Sequence, residues 1–252
     1  MTESDVHDSE DRRLGDLRIH IAHPAAKSDA GVLLYPTIMG LDDAMRSLAR
    51  ELANEGMTAV VWDPYDGVDG TGVMPDMLAR SKQREDHGVV RDLKSIVDHM
   101  QDELGLVSIA GIGWCFGGRI GILHAGSDDR VGALASYNPT IWSVGGIDIG
   151  GANVSRSDFP GQTMDEFALA ANIRGPVQVS RPEYDFTTSA EYQRLVDVLC
   201  TRRHPTFYEF YPEAGHGFSY SPGEANARAH RFAWGATLSM FALAASADQT
   251  TA

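Results

Sequence analysis

Cysteine is scarce in this chain, which has only Cys115 and Cys200 among its 252 residues. Two cysteines far apart in sequence cannot build a disulfide framework or a four-ligand zinc site. We therefore expect each of them to be a free thiol. No pair of His, Asp or Glu residues shows convincing ligand spacing either, so the sequence predicts no metal site.

Long hydrophobic runs are also missing. No apolar stretch approaches the roughly 18–20 residues that a helix needs to cross a bilayer. Residues 1–11 lack the basic and apolar regions of a secretory signal peptide. We therefore expect a soluble, cytoplasmic protein without a membrane partner, either a monomer or a small homo-oligomer.

Positive charge is in short supply. The chain has 21 Lys and Arg residues against 35 Asp and Glu residues, a formal net charge of −14. Such a polyanion repels the phosphates of nucleic acids unless its cations cluster, and no such cluster is present. We expect no nucleic-acid partner and a small-molecule substrate instead.

What the chain does have is an alternation of apolar strands and amphipathic helices, which predicts the α/β class with a mostly parallel central sheet and helices on both faces. We expect a single domain over residues 15–246 after a disordered acidic segment, residues 1–14. A stretch rich in Gly, Asn and Ser, residues 138–161, predicts a loop or lid over the candidate active site. The predicted strands are 17–22, 31–35, 58–62, 107–112, 131–137, 176–179 and 206–211, and the predicted helices 42–54, 84–103, 119–125, 166–172, 190–199 and 228–245.

The strongest local signal is Gly113-Trp114-Cys115-Phe116-Gly117-Gly118, between a predicted strand and a predicted helix. This is the G-x-S-x-G nucleophile turn with Cys in place of Ser. The glycines remove side chains that would collide in so tight a turn. The following helix directs its N-terminal N–H groups at the turn, which favours a thiolate and a developing oxyanion. Cys115 is therefore predicted as a nucleophile, with the N–H of Phe116 as one oxyanion donor. A buried structural cysteine is the alternative, which we retain for Cys200.

Two partners follow the nucleophile in the order that such hydrolases use, acid before histidine. His216 is flanked by glycines in a loop after the last predicted strand, which distinguishes it from the other eight histidines. The acid is either Asp185 or Glu183, and Asp185 is preferred because it lies deeper in its loop. A Cys-His-Asp triad would attack a carbonyl, form a thioester and release it with water, chemistry that suits esters and lactones. Two other functions stay open, a catalytically altered hydrolase fold that binds or senses, and a redox-sensing thiol without a nearby resolving cysteine.

With these motifs in place, the chain resembles the dienelactone hydrolase (carboxymethylenebutenolidase) family over roughly residues 15–245. The resemblance implies an α/β-hydrolase fold and hydrolysis of a small cyclic enol-lactone by a Cys-His-Asp triad without a cofactor. It also implies that the backbone N–H of Ile38 completes the oxyanion hole. The segments that carry it are Tyr35-Pro36-Thr37-Ile38-Met39-Gly40, Asp63-Pro64-Tyr65, residues 113–118, Asp185 and Gly215-His216-Gly217-Phe218.

The chain departs from that family at two places. Thr37 stands where the family carries a glutamate that helps to switch its cysteine between thiol and thiolate. Ser219-Tyr220-Ser221 stands where the family places an arginine that clamps a substrate carboxylate, and Arg80 or Arg84 is the candidate cation instead. We expect Thr37, Trp114, Tyr220 and Arg80 to bind the substrate. These departures favour a neutral or differently anchored ester or lactone.

Overall fold

The computed structural model describes residues 8–67, 74–143, 145–149 and 151–248. Eight of its strands form one sheet, and two further short strands form a separate hairpin. In chain order the strands are β1 (Ser9–Leu14), β2 (Leu17–Ala22), β3 (Ala30–Tyr35), β4 (Thr58–Asp63), β5 (Ser108–Trp114), β6 (Val131–Tyr137), β7 (Ile147–Ile149), β8 (Ala152–Val154), β9 (Val177–Tyr184) and β10 (Thr206–Gly215).

The strand order in the large sheet is β1-β2-β4-β3-β5-β6-β9-β10. β2 runs antiparallel to both of its neighbours, and the other pairs are parallel. The prediction of a mostly parallel sheet is thus confirmed. In such a sheet the carboxyl ends of β3, β5, β6, β9 and β10 lie at one edge, where open α/β sheets place their binding sites.

Helices cover both faces of the sheet, as predicted. One face packs against α1 (Asp43–Asn54) and α7 (Glu224–Asp248), and the other against α3 (Asp86–Asp102), α4 (Phe116–Ala125), α5 (Glu166–Ala170) and α6 (Ser189–Leu199). No helix in the described ranges is long and apolar enough to cross a membrane. The helices are α1 (Asp43–Asn54), α2 (Met74–Ser81), α3 (Asp86–Asp102), α4 (Phe116–Ala125), α5 (Glu166–Ala170), α6 (Ser189–Leu199) and α7 (Glu224–Asp248), with one 3-10 turn at Arg156–Asp158.

The N-terminal segment corrects one expectation. Residues 1–14 were expected to be disordered, but Ser9–Leu14 form β1, the antiparallel edge strand beside β2. Asp11 ties this strand to the protein through ion pairs with Arg18 and Arg46, both at 2.6 Å. Edge strands are commonly rich in charged side chains, because these prevent the strand from pairing with another chain. By composition alone such a strand resembles a solvated tail. Residues 1–7 lie outside the described residues.

The stretch expected to be a loop or lid, residues 138–161, contains regular structure. It holds the β7–β8 hairpin and the 3-10 turn, and Gly151 between the two strands has a φ of +87°. The helix Met74–Ser81, α2, is not among the predicted helices. β9 and β10 are several residues longer than predicted, because the two strands stay paired beyond Pro182 and, after a shift in register, up to Gly215.

A buried cation joins three helices beside the nucleophile turn. Arg119 of α4 is fully buried and makes a two-pronged contact with Asp86 of α3, both N–O distances being 2.9 Å. Its Nε lies 3.5 Å from the buried Glu166 of α5, which also pairs with Arg156 at 3.1 Å. One buried charge therefore fixes α4, and with it the turn that precedes α4, against α3 and α5.

We predict that Arg119→Ala destabilises the protein by about 3–5 kcal/mol, because it leaves the buried Asp86 carboxylate without its cation and the buried Glu166 with Arg156 alone. Urea denaturation would measure the free energy of unfolding. Arg174→Ala is the matched control: Arg174 pairs with Asp129 at 3.2 Å, but both side chains are largely exposed, so its loss should cost no more than about 1 kcal/mol. Equal effects of the two substitutions would contradict the role assigned to Arg119.

Candidate active site

Cys115 occupies the sharp turn between β5 and α4. Its backbone is left-handed in φ, with φ +57° and ψ −119°, a conformation that costs energy for any residue other than glycine. A side chain on Gly113 would overlap the carbonyl of Gly117, and one on Gly117 would overlap the carbonyl of Tyr35. The glycines flanking Cys115 are therefore required by close backbone approach, as the sequence pattern predicts.

His216 and Asp185 meet at the same edge of the sheet. His216 directly follows β10 and Asp185 directly follows β9, and His216 Nδ1 lies 2.9 Å from Asp185 Oδ1. The Asp185 carboxylate is 1% exposed and accepts two further hydrogen bonds, from the Tyr192 hydroxyl at 2.6 Å and the Thr187 N–H at 3.1 Å. Because a carboxylate only accepts, the neutral imidazole carries its proton on Nδ1 and leaves Nε2 free to act as a base.

Glu183, the alternative acid, lies elsewhere. It is exposed, and its carboxylate accepts a hydrogen bond of 2.8 Å from the backbone N–H of Glu213. The geometry therefore brings Asp185, and not Glu183, to the histidine.

Cys115 and His216 shift each other's protonation in opposite directions. Burial alone would raise the pKa of the Cys115 thiol, but the charge and hydrogen bond of His216 outweigh it, and the net pKa is lowered. Burial likewise opposes protonation of His216, yet the negative charge of Cys115 and the bond to Asp185 raise its pKa to about 10. The pair therefore favours a thiolate beside an imidazolium at neutral pH.

Further donors surround the sulphur. Thr140 Oγ1 lies 3.5 Å from Cys115 Sγ, and the N–H of Phe116 contributes to the lowered pKa of the thiol. Ile38 follows β3 and lines the same cavity as Phe116. Within the described part of the chain, the N–H of Ile38 has no hydrogen-bond acceptor. A backbone N–H without an acceptor at the wall of a cavity is free to bind an oxygen of a substrate.

A cavity of about 340 Å³ opens above the sulphur. Its walls are mainly apolar and aromatic. Phe186 stacks on the His216 ring with centroids 4.0 Å apart. We call Thr140, Trp142, Phe159 and Gln162 the roof of this cavity. The lining residues are Thr37, Ile38, Met39, Met74, Cys115, Phe116, Thr140, Trp142, Phe159, Gln162, Phe186, His216 and Tyr220.

The roof is tied to the buried charge cluster. Trp142 packs on Phe159 with centroids 4.9 Å apart and donates to Gln162 Oε1 at 2.9 Å. Arg156 donates to the carbonyl of Gln162 at 2.9 Å and pairs with Glu166. The roof and the nucleophile helix α4 are consequently anchored to the same carboxylate.

Two of the four expected substrate-binding residues line the cavity and two do not. Thr37 and Tyr220 are lining residues. Trp114 is fully buried in the opposite core, 5.7 Å from the ring of Tyr137, because successive residues of a strand face opposite sides. Arg80 is an exposed residue in the last turn of α2 and does not line the cavity, so both expectations are corrected.

Sequence reasoning missed three residues that touch the triad. Tyr192 and Thr140 gave no signal, because their contacts depend on the placement of α6 and of the roof. Asn138 could have been found, since it is a polar residue immediately after β6 at the carboxyl edge of the sheet. In the described ranges, no three His, Cys, Asp or Glu side chains are arranged to share a metal ion.

Comparison of the sequence with known proteins identifies a family and relatives that match most of the chain. A family model described as the dienelactone hydrolase family matches residues 17–245. A carboxymethylenebutenolidase of Rhodococcus opacus is 26% identical over 227 residues, which cover 86% of this chain and 83% of that protein. A putative carboxymethylenebutenolidase of Salmonella typhimurium is 24% identical over 240 residues, covering 90% and 83%.

Solved structures show the same fold. A putative dienelactone hydrolase of Klebsiella pneumoniae has a TM-score of 0.78 at 19% identity, covering 94% of this chain and 99% of that one. A dienelactone hydrolase-like promiscuous phosphotriesterase from metagenomic libraries has a TM-score of 0.72 at 16% identity, covering 93% and 97%. The α/β-hydrolase fold expected from the sequence is thereby confirmed.

We predict that Cys115 reacts with iodoacetamide at pH 6, where an ordinary thiol is only roughly 0.3% ionised. Because its pKa is lowered, the thiolate persists to lower pH and is lost as the pH falls through that lowered value. His216→Gln removes the cation while the burial remains, so the reactive form should appear only at higher pH. The rate of alkylation against pH measures this, in a Cys200→Ser background that removes the exposed second thiol. Identical profiles with and without His216 would contradict the charge pair.

Proposed function

Since the chain belongs to the dienelactone hydrolase family, we propose that it is a cysteine-dependent hydrolase of small esters or lactones. The observation that carries this proposal is that Cys115 and His216 line one cavity while Asp185 is hydrogen-bonded to His216. The strained turn and the lowered pKa of the thiol both serve a nucleophile, whereas a merely structural cysteine needs neither.

The first half of the reaction is acylation. The Cys115 thiolate attacks the carbonyl carbon of the ester or lactone, a C–S bond forms, and the carbonyl π electrons move to oxygen. The N–H groups of Phe116 and Ile38 stabilise that oxyanion. When it collapses, the C–O bond breaks and the Nε2 proton of His216 passes to the departing alkoxide oxygen. In a lactone the alcohol remains attached to the acyl group.

The second half is hydrolysis of the thioester. His216, now neutral, takes a proton from water at Nε2 while the water oxygen attacks the carbonyl carbon. The C–S bond then breaks, the carboxylic acid leaves, and the thiolate–imidazolium pair is restored. Asp185 fixes the tautomer and orientation of the imidazole throughout and stabilises its charged form.

The cavity supports an uncharged substrate. Among the described lining residues there is no Lys, Arg, Asp or Glu, and the cationic candidate Arg80 lies outside. A substrate carboxylate placed among these apolar walls would lose its hydration, and the charge of the His216 imidazolium is already balanced by the Cys115 thiolate and Asp185. We therefore assign the chain to esters or lactones that carry no charge near the scissile bond.

We predict that Cys115→Ala abolishes hydrolysis of p-nitrophenyl esters and simple lactones, because no other group can form the thioester. Cys200→Ala is the control and should keep full activity, since Cys200 is exposed at the end of α6. Asp185→Asn should lower kcat by about two to four orders of magnitude, whereas Glu183→Gln should leave it unchanged. Hydrolysis that survives Cys115→Ala would remove Cys115 as the nucleophile, whereas no hydrolysis by the wild-type protein would favour a hydrolase fold that binds or senses.

We also predict a preference for uncharged substrates. A neutral lactone and its carboxylate-bearing counterpart of equal size should differ in kcat/KM by about tenfold or more in favour of the neutral one, since the carboxylate is desolvated without a partner. Steady-state kinetics on such a matched pair measures the preference. Equal values, or a preference for the anion, would contradict the uncharged-substrate assignment without affecting the triad.

A further inference from the structure

Asn138 is held beside the catalytic histidine in an uncommon conformation. It directly follows β6, is fully buried, and has a left-handed φ of +37°. Its backbone N–H donates to the carbonyl of Ser180 at 2.8 Å, which continues the pairing of β6 with β9. Asparagine adopts left-handed conformations more readily than most residues. The backbone therefore fixes the direction in which this amide enters the site.

The amide reaches the atom of His216 that has to exchange a proton with Cys115. Asn138 Nδ2 lies 3.3 Å from His216 Nε2. Since Nδ1–H donates to Asp185, neutral His216 has its lone pair on Nε2, and the amide N–H donates to that lone pair. An imidazolium carries a proton on Nε2, and an amide nitrogen cannot accept it. The contact therefore stabilises only the neutral form of His216.

The other end of the amide argues against a purely structural role. Asn138 Oδ1 is buried and finds no hydrogen-bond partner in the described part of the chain. A buried acceptor without a partner destabilises the folded protein, as does a left-handed backbone at a residue other than glycine. Unfavourable features of this kind accumulate at functional sites, where placing one group matters more than stability.

We propose that Asn138 is a positioning residue that sets the proton balance between Cys115 and His216, its amide N–H occupying the Nε2 lone pair and favouring the neutral thiol–imidazole form over the charged pair. The proposal rests on the proposed function, because it concerns the same nucleophile and base. The step is a proton transfer within the pair: when the amide releases Nε2, the S–H bond of Cys115 breaks and an N–H bond forms on His216, and the reverse occurs when the amide donates to Nε2.

The groups that face His216 divide into opposing sets. The negative charge of Cys115 and the carboxylate of Asp185 raise its pKa, and its burial opposes them. Tyr220, which also lines the cavity, contributes no charge, because burial and the charges of Cys115 and Asp42 raise the pKa of its hydroxyl. The contact from Asn138 is the one hydrogen bond among these that favours the neutral ring.

The balance changes during the reaction. In the free enzyme the negative charge of the thiolate keeps His216 protonated, although the Asn138 contact favours the neutral ring. In the thioester the sulphur carries no charge, so burial and the Asn138 contact together favour the neutral ring that accepts a proton from water. At 3.3 Å the contact is long for a hydrogen bond, so the amide can yield Nε2 to a water molecule.

The test is the rate of Cys115 alkylation by iodoacetamide as a function of pH, in the Cys200→Ser background. Asn138→Gly suits the left-handed backbone and removes the amide, and Asn138→Ala removes it without relieving the strain. In both, the alkylation profile should shift to lower pH, with a rate about three- to tenfold higher on its acidic side, the worth of one hydrogen bond. Asp66→Gly is the matched control, an exposed left-handed residue with a φ of +52° that should leave the profile unchanged.

An unchanged profile in both Asn138 variants would overturn the proposal, and so would a shift to higher pH, which would mean that the amide presents its oxygen to an imidazolium. Alkylation does not require turnover. Failure of the proposed hydrolase function, seen as ester hydrolysis surviving Cys115→Ala, is therefore distinguishable from failure here.

Discussion

The close approach of α4 to the end of β3 is the constraint on which the site depends. Gly117 lies so near the carbonyl groups of Tyr35 and Pro36 that any side chain there would overlap them. This contact brings the first turn of α4 beside the loop that contains Ile38, so that Ile38, Phe116 and the cysteine line one cavity. The strained backbone of Cys115 persists because the residues on both sides are fixed, by β5 before it and by the buried Arg119 after it.

The sequence was most informative where chemistry is local. The turn around Cys115, the loop of His216 and the alternation of strands and helices could all be predicted, because each depends on neighbouring residues. Asp185 could only be preferred over Glu183, since the choice depends on how far β9 extends before the chain turns. The edge strand β1 was missed because its charged residues make it resemble a disordered tail, and it is ordered by ion pairs with residues far along the chain.

Apart from Asn138, whose place directly after β6 is a usable signal, the residues around the triad could not be predicted, because they come from separate elements. Trp114 adjoins the nucleophile in sequence but belongs to the opposite core, whereas Thr140 and Asn138 reach the site from the far end of β6.

Electrostatic interactions act over two different distances in this protein, which combines an acidic chain with a cavity whose described lining has no Lys, Arg, Asp or Glu. The net charge of −14 acts over the whole surface, while the thiolate and imidazolium are governed by contacts within a few ångströms, where screening by solvent is weak.

The attachment of the cavity roof to Glu166 has a consequence for how such a hydrolase can diversify. The Arg156 side chain that supports the roof shares its carboxylate partner with the Arg119 that holds the nucleophile helix. The roof is therefore not an independent module, because replacing it also changes the charges beside the nucleophile helix. A lineage that acquires a new roof must keep a cation at the place of Arg156 or replace Glu166 as well. Specificity in this scaffold is therefore expected to change more readily through single substitutions at Trp142 or Phe159 than through exchange of the whole segment.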